Sequence, residues 1–496
     1  MSTGRAAWLG WATLLGGAAL VLAESCTGLR TYGSAADAPV VAAADAGLAV
    51  LELWVDAHSA PAGDGTPARP FRRLEDALVA PAPRRLVHLA PGLYPGPFVA
   101  PDGTELVGGS AAVLTADGPV TVVEANGRVT LRRLLVQGGR LGIRAKGELL
   151  LAEVRLSGQR TGAISIAEGG GLEAERVVLE ASVSEGVGLL LEPGARAHLS
   201  GCTFDGPWRR GIEASAPGRL QLQQSRFVSA VTALHLRDGV AELSDVTASG
   251  GRGPGLYVVG GTLRLLRVAV TGHEYGLLTG TGATVEAEDF TSTRAERAGV
   301  GVVNARARFT HLVIGGAGNL GGLQGVDSAV TVTGLRIEDV TGHGVSVRGG
   351  TLRLEDAVVR RTRDADGAGG DGLQLRNVHA TVSGLRVEQT AGPCLMAAEA
   401  SEVTVSRATL EQCHGAGLLV DSAARLTVES VSVRTSDGPG AMATGDGQLV
   451  LRGFSTTAVG GPVWADCATG ARVTTWDVAG LLPTLPCIER RGTSPR

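Results

Sequence analysis

The feature that most constrains this chain is a repeat. Between about Leu141 and Val463 a glycine returns every 20–28 residues, followed by branched apolar residues, a polar break and a second strand-like run. The glycines are Gly142, Gly162, Gly188, Gly211, Gly255, Gly276, Gly301, Gly322, Gly344, Gly372, Gly417, Gly440 and Gly461. Ala233 and Pro393 fill two missing places, and the spacing averages about 22.8 residues. A period of this size marks a solenoid, in which each repeat buries its apolar face only against its neighbours. In the repeat from Gly255 to Gly276, Leu256–Val259, Leu263–Leu266 and Val268–Val270 read as short strands around Gly260-Gly261. The glycines are expected to supply positive φ at the corners.

Composition agrees with a thin stacked core. Hydrophobic residues are 44% of the 496, aromatics only 3%, and 74 residues are glycine. Small and β-branched side chains must therefore fill the interior, and Phe204, Phe227, Phe290 and Phe309 fall on strand runs as core residues. The net charge of −4 implies no nucleic-acid field. None of the six cysteines forms a CxxC pair, so structural zinc is not expected. Cys394 and Cys413 lie 19 residues apart and Cys467 and Cys487 lie 20 apart, near one repeat. Stacked coils would bring each pair within disulfide reach; buried thiols are the alternative.

The N-terminus reads as a targeting segment. Arg5 precedes an apolar run from Ala6 to Ala23, and Glu24-Ser25-Cys26 follows. A basic start, an apolar centre and small residues at the break describe an export signal. Cys26 after Ser25 resembles the lipobox of bacterial lipoproteins, although Ala23 and Glu24 stand where that motif has leucine and a small residue. The resemblance implies lipidation at Cys26; simple secretion and an uncleaved anchor are the alternatives. Residues 1–25 are thus assigned to the signal peptide and 26–48 to a flexible tether rich in Ala, Gly, Ser and Asp.

From Val50 the texture changes. Leu51–Asp56 alternates as a strand, Gly63–Pro67 is turn chemistry, and Phe71, Leu74, Ala77 and Leu78 share one face of a helix from Arg72 to about Ala80. Gly63-Asp64-Gly65-Thr66, Pro70-Phe71, Leu74–Leu78, Val87–Tyr94 and Leu106–Gly109 together resemble the N-terminal segment of right-handed parallel β-helix proteins of the pectin-lyase-like superfamily. The resemblance implies an all-β, single-stranded right-handed parallel β-helix of about 16 coils of ~22 residues, with a short capping helix. Residues 49–110 would form the N-terminal module and cap, 111–465 the β-helix, and 466–496 a C-terminal cap and tail.

Stacking puts corresponding turn residues into columns. Three places before the glycine the column reads Trp208, Arg252, His273, Ala298 and Asn319, then His414 and Asp437. Glu296, in a long turn, could reach it. His273, Glu296 and Arg252 are therefore the candidate catalytic set, and Trp208, Tyr275 and Asn319 the candidate carbohydrate contacts. Ordinary solvated turns are the competing reading. The 28-residue step contains an inserted loop, Arg363–Gly370, whose Asp364 and Asp366 with Asp371 are the candidate metal ligands; no cofactor is required, and calcium is the ion such oxygens would take. Gly342-His343-Gly344 echoes a polygalacturonase motif, but the paired aspartates and the Arg-x-Lys of that group are missing, so its activity is not carried over.

The expected function is an exported, lipid-anchored cell-envelope protein. It would be a non-catalytic scaffold or a binder of polysaccharide or an envelope protein, monomeric, touching membrane only through its lipid. The alternative is a lyase, hydrolase or epimerase acting on an acidic polysaccharide.

Overall fold

The computed structural model describes residues 49–109, 111–215, 218–365, 367, 369–478 and 485–491. The signal, the tether, Cys26 and Asp366 lie outside the described residues. Among the described residues no helix is long and apolar enough to cross a membrane.

Three parallel sheets wind into one right-handed β-helix of about 17 turns, one more than the glycine count implies. The second sheet begins at Val50–Val55, which pairs with Arg84–Leu89, and ends at Ile488–Arg490. The third sheet begins at Gly92–Pro95. The glycine sheet begins at Phe98–Ala100 and ends at Val463–Ala465. Further along, the corners tighten until single strands pass through them: Leu323–Thr341 and Val345–Arg363 each run round all three faces. The five-residue helix Leu74–Leu78, shorter than its apolar pattern predicts, buries Leu74, Ala77 and Leu78. Backbone bonds between Trp54 and Phe71 cover the free edge of the first strand.

The recurring glycines, Gly461 apart, are not left-handed corner residues. Gly142, Gly188, Gly255, Gly322 and Gly344 all lack positive φ. They stand where the strands of the glycine sheet begin, Gly142 and Gly188 as second residue and the other three just before the first, and a Cβ would come 2.6 Å from the Ala163 carbonyl oxygen at Gly142 and 2.5 Å from that of Gly344 at Gly322. The same missing side chain leaves room for the last inward residue of the third sheet, Leu156 beside Gly142, Phe204 beside Gly188 and Ile337 beside Gly322. The glycine is thus required by close approach, coil on coil. The contact also corrects the column. Ala163, Gly299, Cys394 and Pro462 hold the places first given to Gly162, Gly301, Pro393 and Gly461, whereas Ala233 holds its own.

Positive φ is concentrated at the corners, and one corner hardly uses glycine. Between the second and third sheets a left-handed residue recurs coil after coil: Arg176, Gly201, Gln224, Asp245, Arg267, Asp289 and His311 in the central coils. Polar side chains tolerate the strained conformation where they bond locally. Here they bond to the next coil: Arg267 Nε lies 2.6 Å from Asp245 Oδ1, and His311 Nδ1 3.2 Å from Asp289 Oδ1.

The core is a column of Leu, Val, Ile and Ala with stacked phenylalanines; Phe204 and Phe227 lie 4.5 Å apart, and all four expected core phenylalanines are buried. Cys394 and Cys413 are joined by a disulfide, as are Cys467 and Cys487, with Cα separations of 5.3 and 5.4 Å. The first bridge closes one coil on itself, at a place where other coils have glycine. Cys202 is a buried free thiol, pushed up to about 11 by desolvation.

Candidate functional site

The predicted acid–base cluster does not assemble. His273 is 1% exposed, tucked beneath the backbone of Gly251 and Gly255. Its Nδ1 lies 3.3 Å from the Gly253 carbonyl oxygen, and its Nε2 is buried without a partner. Burial holds it below the ordinary histidine range, against the opposing Gly253 bond. The Glu296 N–H does donate to the His273 carbonyl across one coil, but the Glu296 side chain is exposed while His273 turns inward. Arg252 is exposed and bonds to neither. Adjacent backbone positions have sent their side chains to opposite sides of the wall.

The predicted sugar contacts separate in the same way. Trp208 is 1% exposed, with Nε1 donating to the Leu179 carbonyl, so its ring offers no face to a sugar. Tyr275 is 9% exposed beneath the Arg297 guanidinium, which is 5.4 Å from the ring centre and bonded to Glu274; burial pushes the Tyr275 hydroxyl up. Asn319 alone of the three is exposed.

At the insertion Asp371 is 3% exposed, with Oδ2 accepting from Gln374 at 3.1 Å and lying 3.4 Å from His343 Nδ1. Asp364 instead accepts from the Gly369 N–H. The two carboxylates are committed to different local bonds, and among the described residues no three His, Cys, Asp or Glu side chains are grouped to hold a metal ion. Beside the loop a shallow cleft of about 690 Å³ is lined by Arg363, Asp364, Gln389, Gln412, His414 and Asp437. His414 Nδ1 and Asp437 Oδ2 meet there at 2.6 Å, so this pair from the sequence column is adjacent.

The most continuous surface feature lies elsewhere, on the outer face of the glycine sheet. The residue two places beyond each corrected column position points outward and pairs in register with its counterpart in the next coil. From Glu213 the row passes to His235, Tyr257, Leu278 and Gly301. It continues through Gln324, Ser346 and Gln374, and ends on Met396, Leu419, Met442 and Trp464. The His235 and Tyr257 rings stack 5.1 Å apart and 12° from parallel. Glu213, on the other side of His235, is bonded to Arg210. Burial, with Arg210 adding to it, lowers His235 to about 4, so the imidazole is neutral at physiological pH. Gly301 makes a notch in the row; a Cβ there would meet Leu278 at 2.9 Å.

Of these residues only Gly301 was named in the sequence reading, and as a column glycine, not as part of an outward row. The signal for the rest was the period-2 alternation of a strand counted from the true column. A column displaced at Gly162, Gly301, Pro393 and Gly461 hid it.

A family model for the right handed beta helix region matches residues 321–453. No curated protein matches the chain. Among solved structures, pectate lyase Pel9A is similar at 16% identity over 52% of this chain and 79% of its own, with a TM-score of 0.44. The catalytic unit of a GH87 alpha-1,3-glucanase from Streptomyces thermodiastaticus is similar at 13% identity over 84% of this chain and 71% of its own, TM-score 0.29. The A-module of the mannuronan C-5 epimerase AlgE6 from Azotobacter vinelandii is similar at 12% identity over 83% of this chain and 93% of its own, TM-score 0.19.

Proposed function

We propose that the protein is an exported, lipid-anchored envelope β-helix that binds an extended glycan along the outer face of the glycine sheet without cleaving it. One observation carries this reading: a row of mostly half-buried side chains, interrupted only at Gly301, runs along that face and includes Tyr257, whose ring stacks on the buried His235. A flat ring flanked by apolar and amide side chains is what a sugar face and its hydroxyls pack against. His273, Glu296 and Arg252 do not converge on that row, which favours binding over turnover. Export is supported by the apolar run Ala6–Ala23 and by two disulfides, which persist in oxidising compartments.

The test is affinity electrophoresis of the purified protein in gels containing polysaccharides, with parallel product analysis. Retardation without new reducing ends or unsaturated sugars is expected, and Tyr257→Ala should weaken it on the order of tenfold, the loss of one stacking platform. Protein-dependent chain cleavage or epimerisation would replace this reading with the enzymatic one. Membrane attachment should be lost on Cys26→Ser; attachment retained by that variant would count against the lipid anchor.

A further inference from the structure

We infer that this face selects an uncharged polymer, not a polyuronate or another polyanion. The inference rests on the binding reading above and adds the chemical class of the ligand. From His235 to Trp464 the outward row crosses eleven successive coils without a charged residue. The neighbouring row on the same face contains Arg237, then Val259, Val303 and Val326. Farther on it reaches Arg348 and Arg376, and both are tied to Glu399, at 3.4 and 3.0 Å. Arg297, over Tyr275, is likewise bound to Glu274.

This is not a shortage of charge in the chain. On the second sheet Arg219, Glu242, Arg264 and Glu286 form one alternating ladder across four coils. On the third, Arg360, Glu388, Arg386, Glu411 and Arg434 do the same. Along these ladders the other two faces do carry cations, and neighbouring carboxylates neutralise them. Arg237 is exposed and has no carboxylate partner among the described residues, but beyond it a polyanion laid along these two rows would bring a carboxylate to coil after coil that supplies no unpaired cation. Each carboxylate desolvated without a partner is disfavoured. A neutral glycan meets no such penalty, and its hydroxyls find Gln324, Ser346 and Gln374.

The experiment uses polymer pairs that share a backbone and differ in charge: hydroxyethyl- against carboxymethyl-cellulose, and methyl-esterified against de-esterified homogalacturonan. The neutral members should be retained at least about tenfold more strongly, with no weakening up to about 0.5 M salt. Gln324→Lys should narrow that gap at low salt. Preference for the acidic members, weakening as salt rises, would overturn this inference and leave the binding reading standing. Retention by neither member of any pair would overturn both. Self-association abolished by Tyr257→Ala would, without polymer retention, assign the face to a second copy of the chain.

Discussion

The outer face of the glycine sheet and the corner between the second and third sheets are built by the same coils, a few residues apart, yet they solve opposite problems. At the corner each coil must place one residue in left-handed conformation, and the chain uses Arg, Asp, Gln and His as readily as glycine. Several of those side chains reach across to the neighbouring coil, as Arg267 does to Asp245 and His311 to Asp289, and are taken up in ion pairs there. On the glycine sheet no left-handed residue is needed at the recurring column, and the adjacent outward row is left uncharged. The corner is occupied with holding the coils in register, and the face is free to meet something else. A repeat can thus divide its surface by position within the period, because every position is multiplied into a row.

The sharpest way to break this division is through the column itself. Gly322→Val should destabilise the protein by at least about 3 kcal/mol, because the new Cβ meets the Gly344 carbonyl at 2.5 Å and Ile337 at 2.8 Å. Gly315→Ala, where only Thr293 stands at 3.7 Å, should stay within about 0.5 kcal/mol in the same denaturant titration. Equal effects would mean that the column glycines are not required by close approach.

A smaller effect belongs to the binding face. Folded His235 titrates at about 4 against an ordinary value of 6.5, so between these the unfolded chain takes up a proton that the folded chain refuses. Its contribution is fully present above pH 6.5 and is lost as pH falls towards 4, a drop of about 1–3 kcal/mol. His235→Gln should flatten that part of the stability–pH curve. An unchanged curve would show that His235 is not held neutral by the face.

The smallest effect should come from the corner. Arg267→Ala removes an exposed pair, and its cost should be slight and abolished by salt. Arg267 holds the Asp245 carboxyl below its usual 3.8, so the pair stabilises above that pH and the benefit disappears as pH falls beneath it. A large, salt-insensitive loss in thermal melts would show that the corner ladder does more than tolerate left-handed backbone.

Much of the architecture was legible in the chain. The repeat near 22.8 residues, the four phenylalanines on strand runs and the cysteine pairs 19 and 20 apart all depend on local pattern or on one period of stacking, and a linear sequence displays both. Which way each side chain faces was not legible. On a strand, a slip of one residue exchanges inside for outside. Trp208 and His273, placed in a surface column by counting back from glycines, are in the core. Gly299, not Gly301, stacks on Gly276, which makes Gly301 a gap in the outward row instead of a column contact. The sequence by itself determined a β-solenoid and its period, since burial of a thin apolar face admits few other folds. Only the tertiary structure decided which row became a free, uncharged face, because that depends on the carbonyl-to-glycine contacts that fix each coil's register on the next.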